Sequence, residues 1–306
     1  MITRALLLVL VWCSCVQAAT RVALVSTCEG DGMLDVLTLA QAKLSAEPGV
    51  EVVERTEVER VLREQKLWRC GLSSYGQAVA AGRLLGVEVF AALEVLPNEK
   101  EALGLVCFSA GSGARLMDVV LAKGAAPAVA NAILGTVRDA CIKQQLPGTS
   151  RNTVCILAVR NAGLVRGLDG VCESVGRMLE RRLLSSPSLA VLERARLDQV
   201  NRERNLPVTG SATNTLRAAL NQFELEFSHG TGSNDIHVTV FQSNAAGQAL
   251  PKINADAALD RTADLVESIS TQIITALQAS PLVRKIDRRA EALRFSREAK
   301  FFHENG

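Results

Sequence analysis

The chain contains one strand-and-helix pattern twice, and this repeat constrains the fold more than any other feature. Residues 52–67 carry the pattern Val-Val-Glu-Arg-x(5)-Val-x-x-Glu-x-x-Leu, and residues 191–206 carry Val-Leu-Glu-Arg-x(5)-Val-x-x-Glu-x-x-Leu. Because identical spacing over so long a stretch indicates an internal duplication, we expect two copies of one module. The matched charged positions are Glu54, Arg55 and Glu64 in copy one, and Glu193, Arg194 and Glu203 in copy two.

The elements around the pattern predict an α/β fold. A strand–helix–strand order implies a right-handed crossover and parallel pairing of the two strands. Such strands are buried on both faces and have continuous apolar sequences, as both copies do. In copy one we expect strands at Arg21–Val25 and Val50–Val53 and helices at Leu34–Leu44 and Val58–Leu67. In copy two we expect strands at Thr153–Leu157 and Leu189–Leu192, a helix at Val171–Leu184 and a second helix through Leu206.

The remainder of each copy predicts a mixed sheet with helices packed on it. Copy one continues with a helix at Gly76–Leu85 that Gly86 caps, strands at Val87–Leu96, Leu103–Ser109 and Arg115–Leu121, and a helix at Ala126–Cys141. Copy two continues with Leu216–Gln222, Phe223–Ser228, Ile236–Gln242 and a long helix near Leu259–Leu277. The prediction is two tandem mixed-sheet α/β modules, at residues 19–143 and 153–279, followed by a C-terminal helix at residues 281–306.

The N-terminus predicts an exported protein. Arg4 precedes the apolar run Ala5–Trp12, and Ala18 ends a stretch that a signal peptidase would cleave. We therefore expect residues 1–18 to be a signal peptide and the mature chain to be periplasmic. Cys15, which follows a small serine, leaves lipid attachment as an alternative, and with it peripheral association with a membrane.

Charge and cysteine content exclude several classes of function. The formal net charge of +2 is near balance, which argues against nucleic-acid binding, because that requires a broad basic surface. The mature chain would keep scattered cysteines with no Cys-x-x-Cys pair, so zinc and redox sites are not expected. Cys155 lies in an apolar strand and is expected to be a buried thiol. The other cysteines of the mature chain are Cys28, Cys70, Cys107, Cys141 and Cys172.

The repeated Glu-Arg pair predicts a structural junction between a strand and a helix. Glu54 and Arg55 lie where the strand ends, and Thr56 with Glu59 has the spacing of a capping box. Adjacent residues rarely form an acid–base pair by themselves, since a second group must face the reacting bond. The motif residues are therefore expected to hold an ion pair or a helix cap, and not to be catalytic.

No other residues predict a catalytic, cofactor or metal site. His229 and His237 could meet across a hairpin and bind a metal, but a surface histidine in a turn explains His229 better. Gly30 and Gly32 follow the first strand without completing a phosphate-binding loop, and the acidic residues around them would repel phosphate. We expect no enzyme activity, no cofactor and no metal.

Copy one resembles the CsgG-like curli-assembly proteins of bacterial envelopes. The resemblance rests on a strand ending in Glu54-Arg55, a helix with Leu62, Glu64 and Gln65, and a later Leu85-Gly86-Val87. It spans nearly all of residues 21–142 and, more faintly, 153–278. It implies assembly or scaffolding through contacts with envelope proteins, including self-association, without a catalytic residue to transfer.

Two alternatives to that function stay open. An oligomeric secretion channel of the outer membrane would require strands of about 9–11 alternating residues, and the arms of the Leu103–Leu121 hairpin are shorter. A hydrolase or small-ligand sensor with its site between the copies would depend on Glu54 and Glu193.

Overall fold

Ten strands of the chain form one mixed sheet in the computed structural model. The structure describes residues 19–26, 31–64, 81–95, 102–147, 150–192, 220–232, 234–244, 248–283, 286–289 and 291. The strands are β1 (Thr20–Ser26), β2 (Val50–Val52), β3 (Val89–Val95), β4 (Ala102–Ser109), β5 (Arg115–Ala122), β6 (Asn152–Asn161), β7 (Leu189–Val191), β8 (Leu220–His229), β9 (Asp235–Ser243) and β10 (Ala249–Ala258). The sheet confirms the predicted mixed α/β class.

Five α-helices pack on this sheet within the described part of the chain. Their bounds are α1 (Asp31–Ser45), α2 (Arg55–Glu64), α3 (Ala126–Gln145), α4 (Asp169–Leu183) and α5 (Thr262–Ala276). Residues 81–85 are also helical, and short 3₁₀ turns lie at Arg166–Leu168 and Leu259–Arg261. None of the described helices is both long and apolar enough to cross a membrane.

The strand order repeats along the sheet. The full order is β10-β9-β8-β6-β7-β5-β4-β3-β1-β2. When it is followed from β2, the first half has the order β2-β1-β3-β4-β5, and the second half has the corresponding order β7-β6-β8-β9-β10. In both halves the first strand pairs in parallel with the next two, and the last two strands continue as antiparallel hairpins. Because both halves belong to one sheet, the division into modules at 19–143 and 153–279 remains a prediction.

The two halves meet where β5 pairs with β7, a contact that we call the joint. The pairing is antiparallel and consists of one residue pair, Arg115 with Val191. Since the strand order is kept while the strand direction reverses, helices α4 and α5 of the second half lie on the face of the sheet opposite to α1 and α3. Neighbouring residues of β7 show this reversal: Ala190 packs into the core under α1 and α3, and Val191 packs into the core under α4 and α5.

Most sequence predictions for single elements are confirmed. The strand at Arg21–Val25, the helix at Ala126–Cys141 and the long helix near Leu259–Leu277 correspond to β1, α3 and α5. Gly86 ends the helical residues 81–85 with a φ of +61°, in the left-handed region that glycine enters without strain. Cys155 is fully buried, as predicted. The predicted signal peptide at 1–18, with Cys15, lies outside the described residues.

Three predictions for elements are wrong. β10 is absent from the predictions, and Leu220–Gln222, predicted apart from the strand at Phe223, belongs to β8. Helix α2 begins at Arg55 and not at Val58. Thr56 is therefore inside the first turn and cannot be the N-cap residue of a capping box. The Glu59 carboxylate instead accepts a hydrogen bond from Arg55 Nε at 2.6 Å.

Candidate functional site

A cavity of about 570 Å³ lies at the joint, and we call it the joint cavity. Its size is within the range of sites that hold a small ligand or a few residues of a peptide. Strand β5, the last turns of α3 and α4, and the segment after α5 form its walls. The lining residues are Met117, Asp118, Val119, Val120, Asp139, Ile142, Lys143, Met178, Arg181, Arg182, Leu184, Ser185, Pro187, Val283, Ile286, Asp287 and Glu291.

The edge of β5 forms one wall of the joint cavity. Consecutive strand residues point to opposite faces of a sheet, so a cavity that touches Met117 through Val120 in succession touches the edge of the strand. On its other side β5 pairs with β4 along its whole length. Toward the cavity it pairs only at Arg115, with β7. Beyond Arg115, no described strand continues the ladder on this side.

The mouth of the cavity is apolar. Ile142 of α3 and Val283 of the following segment both line the cavity, and they are 53% and 68% exposed. Met178 and Leu184 of the second half continue the apolar surface into the interior, where both are buried. Methionine adapts its shape to different contacts, so this lining suits an apolar side chain without requiring one shape.

A buried lysine holds the two halves together at the floor of the cavity. Lys143 Nζ donates hydrogen bonds to the carbonyl oxygen of Leu116 at 2.8 Å and to that of Leu184 at 2.6 Å. Leu116 belongs to β5 and Leu184 follows α4, so one ammonium group bridges the first half and the second. The Lys143 side chain reaches this position from the last turn of α3, where a positive charge also opposes the negative end of the helix.

Arginine ion pairs fix the second wall. Arg182 makes a two-point contact with Glu267 of α5, with Nε–Oε2 at 2.6 Å and Nη2–Oε1 at 2.5 Å. Arg181 donates to the Glu291 carboxylate from Nε, at 2.8 Å, and from Nη2. Because both guanidinium groups are nearly buried, these pairs anchor the end of α4 to α5 and to the segment that follows it.

Arg115 adds an ionic contact across the joint itself. Its Nη1 lies 3.0 Å from Asp118 Oδ2, and its Nη2 lies 3.6 Å from Glu180 Oε2 of α4. The arginine side chain is 8% exposed, so this pairing is shielded from solvent. Arg115 and Lys143 therefore connect the two halves through side-chain contacts in addition to the single backbone pair.

Several charged residues of the described lining therefore hold the walls of the cavity in place. Asp118, Asp139, Asp287 and Glu291 face three cationic residues, Lys143, Arg181 and Arg182. Arg182 is moreover committed to Glu267, a carboxylate outside the lining. The described lining contains no cysteine, serine–histidine pair or group of metal ligands, and no metal cluster occurs elsewhere among the described residues.

The described cysteines are all buried. None of the four, Cys107, Cys141, Cys155 and Cys172, forms a disulfide. Desolvation raises the pKa of Cys107 well above its ordinary value, and the neighbouring Cys141 adds to that effect. Burial raises the pKa of Cys141 to about 12 and that of Cys172 to about 11. The thiolate is the nucleophile, so the raised pKa values keep Cys107, Cys141 and Cys172 in the unreactive thiol form near neutral pH.

The motif residues that the structure describes, Glu54, Arg55 and Glu64, are not among the described residues that line the joint cavity. Glu54 is exposed and its carbonyl oxygen starts α2 by accepting the amides of Glu57 and Val58. Arg55 pairs with Glu59 through a bond within α2, and Glu64 is the last residue of that helix. Glu193, Arg194 and Glu203 lie outside the described residues. The structural role assigned to these six residues stays a prediction.

The two histidines of the second-half hairpin have different surroundings. His229 ends β8 and is exposed, whereas His237 lies within β9 and pairs through Nδ1 with Asp256 Oδ1 at 2.7 Å. His237 thus bonds a carboxylate on β10, a strand absent from the sequence predictions, and its Nε2 lies 3.3 Å from Thr239 Oγ1.

Sequence reasoning missed the joint cavity because its residues carry no motif. Lys143 looks like a solvated residue on an amphipathic helix, and the Arg181–Arg182 pair looks like the ordinary basic end of one. A signal was present in Ile142, an apolar residue at a position that the buried stripe of α3 does not use.

The fold defines a protein with two mixed α/β halves joined edge to edge, and comparison with known proteins adds two distant likenesses. Over 42% of this chain it is similar to the crystal structure of TolB from Acinetobacter baumannii, with 13% identity, 28% of that chain covered and a TM-score of 0.26. Over 39% it is similar to the LpoB C-terminal domain from Salmonella enterica, with 12% identity, 92% of that chain covered and a TM-score of 0.27.

Likenesses at this level carry no argument about function. The chain spans little more than a quarter of the length of TolB. No family model and no curated protein matches the chain.

Proposed function

We propose that the protein is a non-catalytic interaction or assembly protein of the bacterial envelope, of the CsgG-like type, and that it acts through protein–protein contacts in the periplasm. The observation that carries the proposal is the joint cavity, whose apolar mouth is open while its charged side chains already bond one another or backbone carbonyls. Such a lining offers a contact surface, since the groups that could do chemistry are committed to holding the walls.

The sequence supports the envelope location and the family type. Residues 1–18 have the charge, apolar run and small residues of a signal peptide. The CsgG-like resemblance rests on Glu54-Arg55, Glu64 and Leu85-Gly86-Val87, and it implies an assembly role without a catalytic residue. The partners are therefore expected to be envelope proteins or a second copy of this chain.

A secretion channel has no specific observation in its favour. The hairpin that would have to leave the sheet is β4–β5, and β4 is buried along nearly its whole length in the centre of the sheet. The mass of the full chain in solution, measured by light scattering with and without detergent, tests this alternative. A large ring that forms only in detergent would replace our proposal with the channel.

The experiment that tests the proposal is crosslinking in intact cells. An affinity-tagged full chain is crosslinked in the envelope, and the captured proteins are identified by mass spectrometry. The matched control is the same chain without residues 1–18, which we expect to remain in the cytoplasm. We expect envelope proteins to be captured by the full chain alone. Identical captures from both chains, or no envelope protein from either, would contradict the proposal.

A further inference from the structure

Strand β10 is the outermost strand of the second half, and among the described strands it pairs only with β9. In an antiparallel pair, every second residue directs its backbone amide and carbonyl toward the partner strand, and the residues between direct theirs away. Between Ile253 and Ala258, where the register is regular, every second residue of β10 therefore presents a donor and an acceptor to the outer edge.

Hydrogen bonds at the ends of the hairpins identify these outward residues. The Gly230 amide donates to the Asp235 carbonyl at 2.9 Å, so the odd-numbered residues of β9 bond β8 and the even-numbered ones bond β10. The Leu259 amide donates to the Asn234 carbonyl at 3.0 Å, which continues the same alternation between β9 and β10. The outward residues of β10 are therefore Asn254, Asp256 and Ala258.

Gln272 of α5 occupies one of the outward acceptors. Its Nε2 donates to the carbonyl oxygen of Asn254 at 3.2 Å. Ile269 and Ile273 of the same helix are fully buried, so packing fixes the position from which Gln272 reaches the edge. An added strand would need the Asn254 oxygen as the acceptor for its own amide. Gln272 therefore competes with an added strand, and we call this contact the edge cap.

The segment that the edge cap covers has no other common form of edge protection. Pro251 and Lys252, residue types that keep edge strands from pairing, lie at the register shift. Residues 254–258 contain neither type. The side chains that they direct into the core beneath α5 are Ala255 and Ala257, which form no pocket that would select the side chains of a different protein.

The edge fits a second copy of the same strand. Antiparallel pairing about a two-fold axis at Ala255 places Asn254 of each copy opposite Asp256 of the other, so both outward residues exchange backbone hydrogen bonds. The Asp256 carboxylate, whose side chain is 59% exposed, then meets an amide side chain. An axis at Asp256 would instead place two carboxylates opposite each other, which is unfavourable.

We propose that the β10 edge is a self-association surface that Gln272 keeps capped in the free chain, and that a second copy adds antiparallel to Asn254–Asp256 when the cap opens. The pairing is isologous and closes after two copies, with β2 left at each outer end. This inference rests on the proposed function, because it names a surface through which an assembly protein would meet its own copy.

The test is the dissociation constant for self-association of the full chain, measured by analytical ultracentrifugation over a range of concentrations. Gln272→Ala frees the Asn254 oxygen in both copies and should tighten self-association by about tenfold or more. The matched control is Thr271→Ala, since the Thr271 hydroxyl bonds the Glu267 carbonyl within α5 and is remote from the edge cap. This control should change the constant by less than about twofold.

A second pair of variants tests the backbone of β10. Asp256→Pro in the Gln272→Ala chain removes an outward amide that the ladder with β9 does not use, and should return self-association to the level of the unchanged chain or below. Asp256→Ala in the same chain removes the side chain but keeps the amide, so it should keep the tighter self-association. The comparison separates the backbone ladder from the ion pair with His237.

Hydrogen exchange gives a readout that does not depend on the proline variant. Concentrating the Gln272→Ala chain should slow exchange of the Asn254 and Asp256 amides and leave that of the Val238 amide, which already bonds β10, unchanged. Equal self-association with and without Gln272, or no slowing at Asn254 and Asp256, would overturn the inference. Envelope proteins captured by crosslinking in that case would leave the proposed function standing.

Discussion

Strands β2 and β7 occupy the same place in the two halves of the sheet, but β2 is an outer edge strand and β7 has a strand on each side. The repeat aligns Glu51 of β2 with Ala190 of β7. β2 lies at the outer edge, where Glu51 is exposed and pairs with Arg21 Nε at 2.9 Å. β7 lies inside the sheet, and its three residues are all buried. An edge that must stay free carries a charge, and an edge that must join is apolar.

The largest effect is expected when the charge of the outer edge is placed in the joint. Ala190→Glu buries a carboxylate in a position that is 1% exposed. We expect the free energy of unfolding to fall by about 3 kcal/mol or more. The reverse change, Glu51→Ala, removes one exposed ion pair and should cost less than about 0.5 kcal/mol. Urea unfolding of both variants measures the difference, and equal losses would refute this account of the edges.

Removing the buried ammonium of the joint should have the next largest effect. Lys143→Met keeps most of the side-chain volume but leaves the carbonyl oxygens of Leu116 and Leu184 without their donor. The expected loss is about 2 kcal/mol in the free energy of unfolding. Lys123→Met changes an exposed lysine of the same half and should be nearly neutral. If the two variants unfold at the same urea concentration, Lys143 does not bridge the halves.

Alkaline pH should destabilise the two halves over different pH ranges, because the buried thiol of each half has a different pKa. Folding raises the pKa of Cys172 from 9.0 to about 11 and that of Cys141 from 9.0 to about 12. Below pH 9.0 both thiols are neutral in the folded and unfolded chains, so their contribution is fully present. Above it the unfolded chain ionises first, and stability falls by on the order of 1 kcal/mol per pH unit for each thiol.

The two thiols can be distinguished by the pH at which each stops lowering the free energy of unfolding. Cys172→Ala should reduce the slope of stability against pH up to about pH 11, and Cys141→Ala up to about pH 12. Urea midpoints measured at successive pH values, relative to those of the unchanged chain, give the slopes. Slopes that neither substitution alters would show that these thiols ionise as easily in the folded chain as in the unfolded one.

The smallest effect is expected in the outer hairpin. His237 and Asp256 form a partly exposed pair between β9 and β10, with side chains 30% and 59% exposed. His237→Gln should change the free energy of unfolding by less than about 0.5 kcal/mol. Zinc should not raise the melting temperature of the unchanged chain, because a single histidine–carboxylate pair is a poor zinc site. A zinc-dependent rise that His237→Gln removes would establish a metal site instead.

Local patterns in the sequence predicted most elements, because apolar runs and helical periodicity are properties of short stretches. Strand β10 escaped prediction since Pro251 and Lys252 interrupt its alternation, at the point where its pairing with β9 shifts register. The joint escaped because one residue pair, Arg115 with Val191, connects segments far apart in the chain. Lys143 escaped for the same reason: its two acceptors come from different halves, and no spacing in the sequence relates them.

The reversal of strand direction at the joint has a consequence for symmetry. The halves have the same strand order and opposite strand directions. They are therefore related by a rotation of half a turn about an axis that runs across the strands, combined with a translation along that axis, which is a screw operation. A screw operation does not close on itself, so it generates a growing ribbon and not a ring. The outer strands oppose that growth: β2 presents Glu51, and β10 presents Pro251, which has no amide to donate.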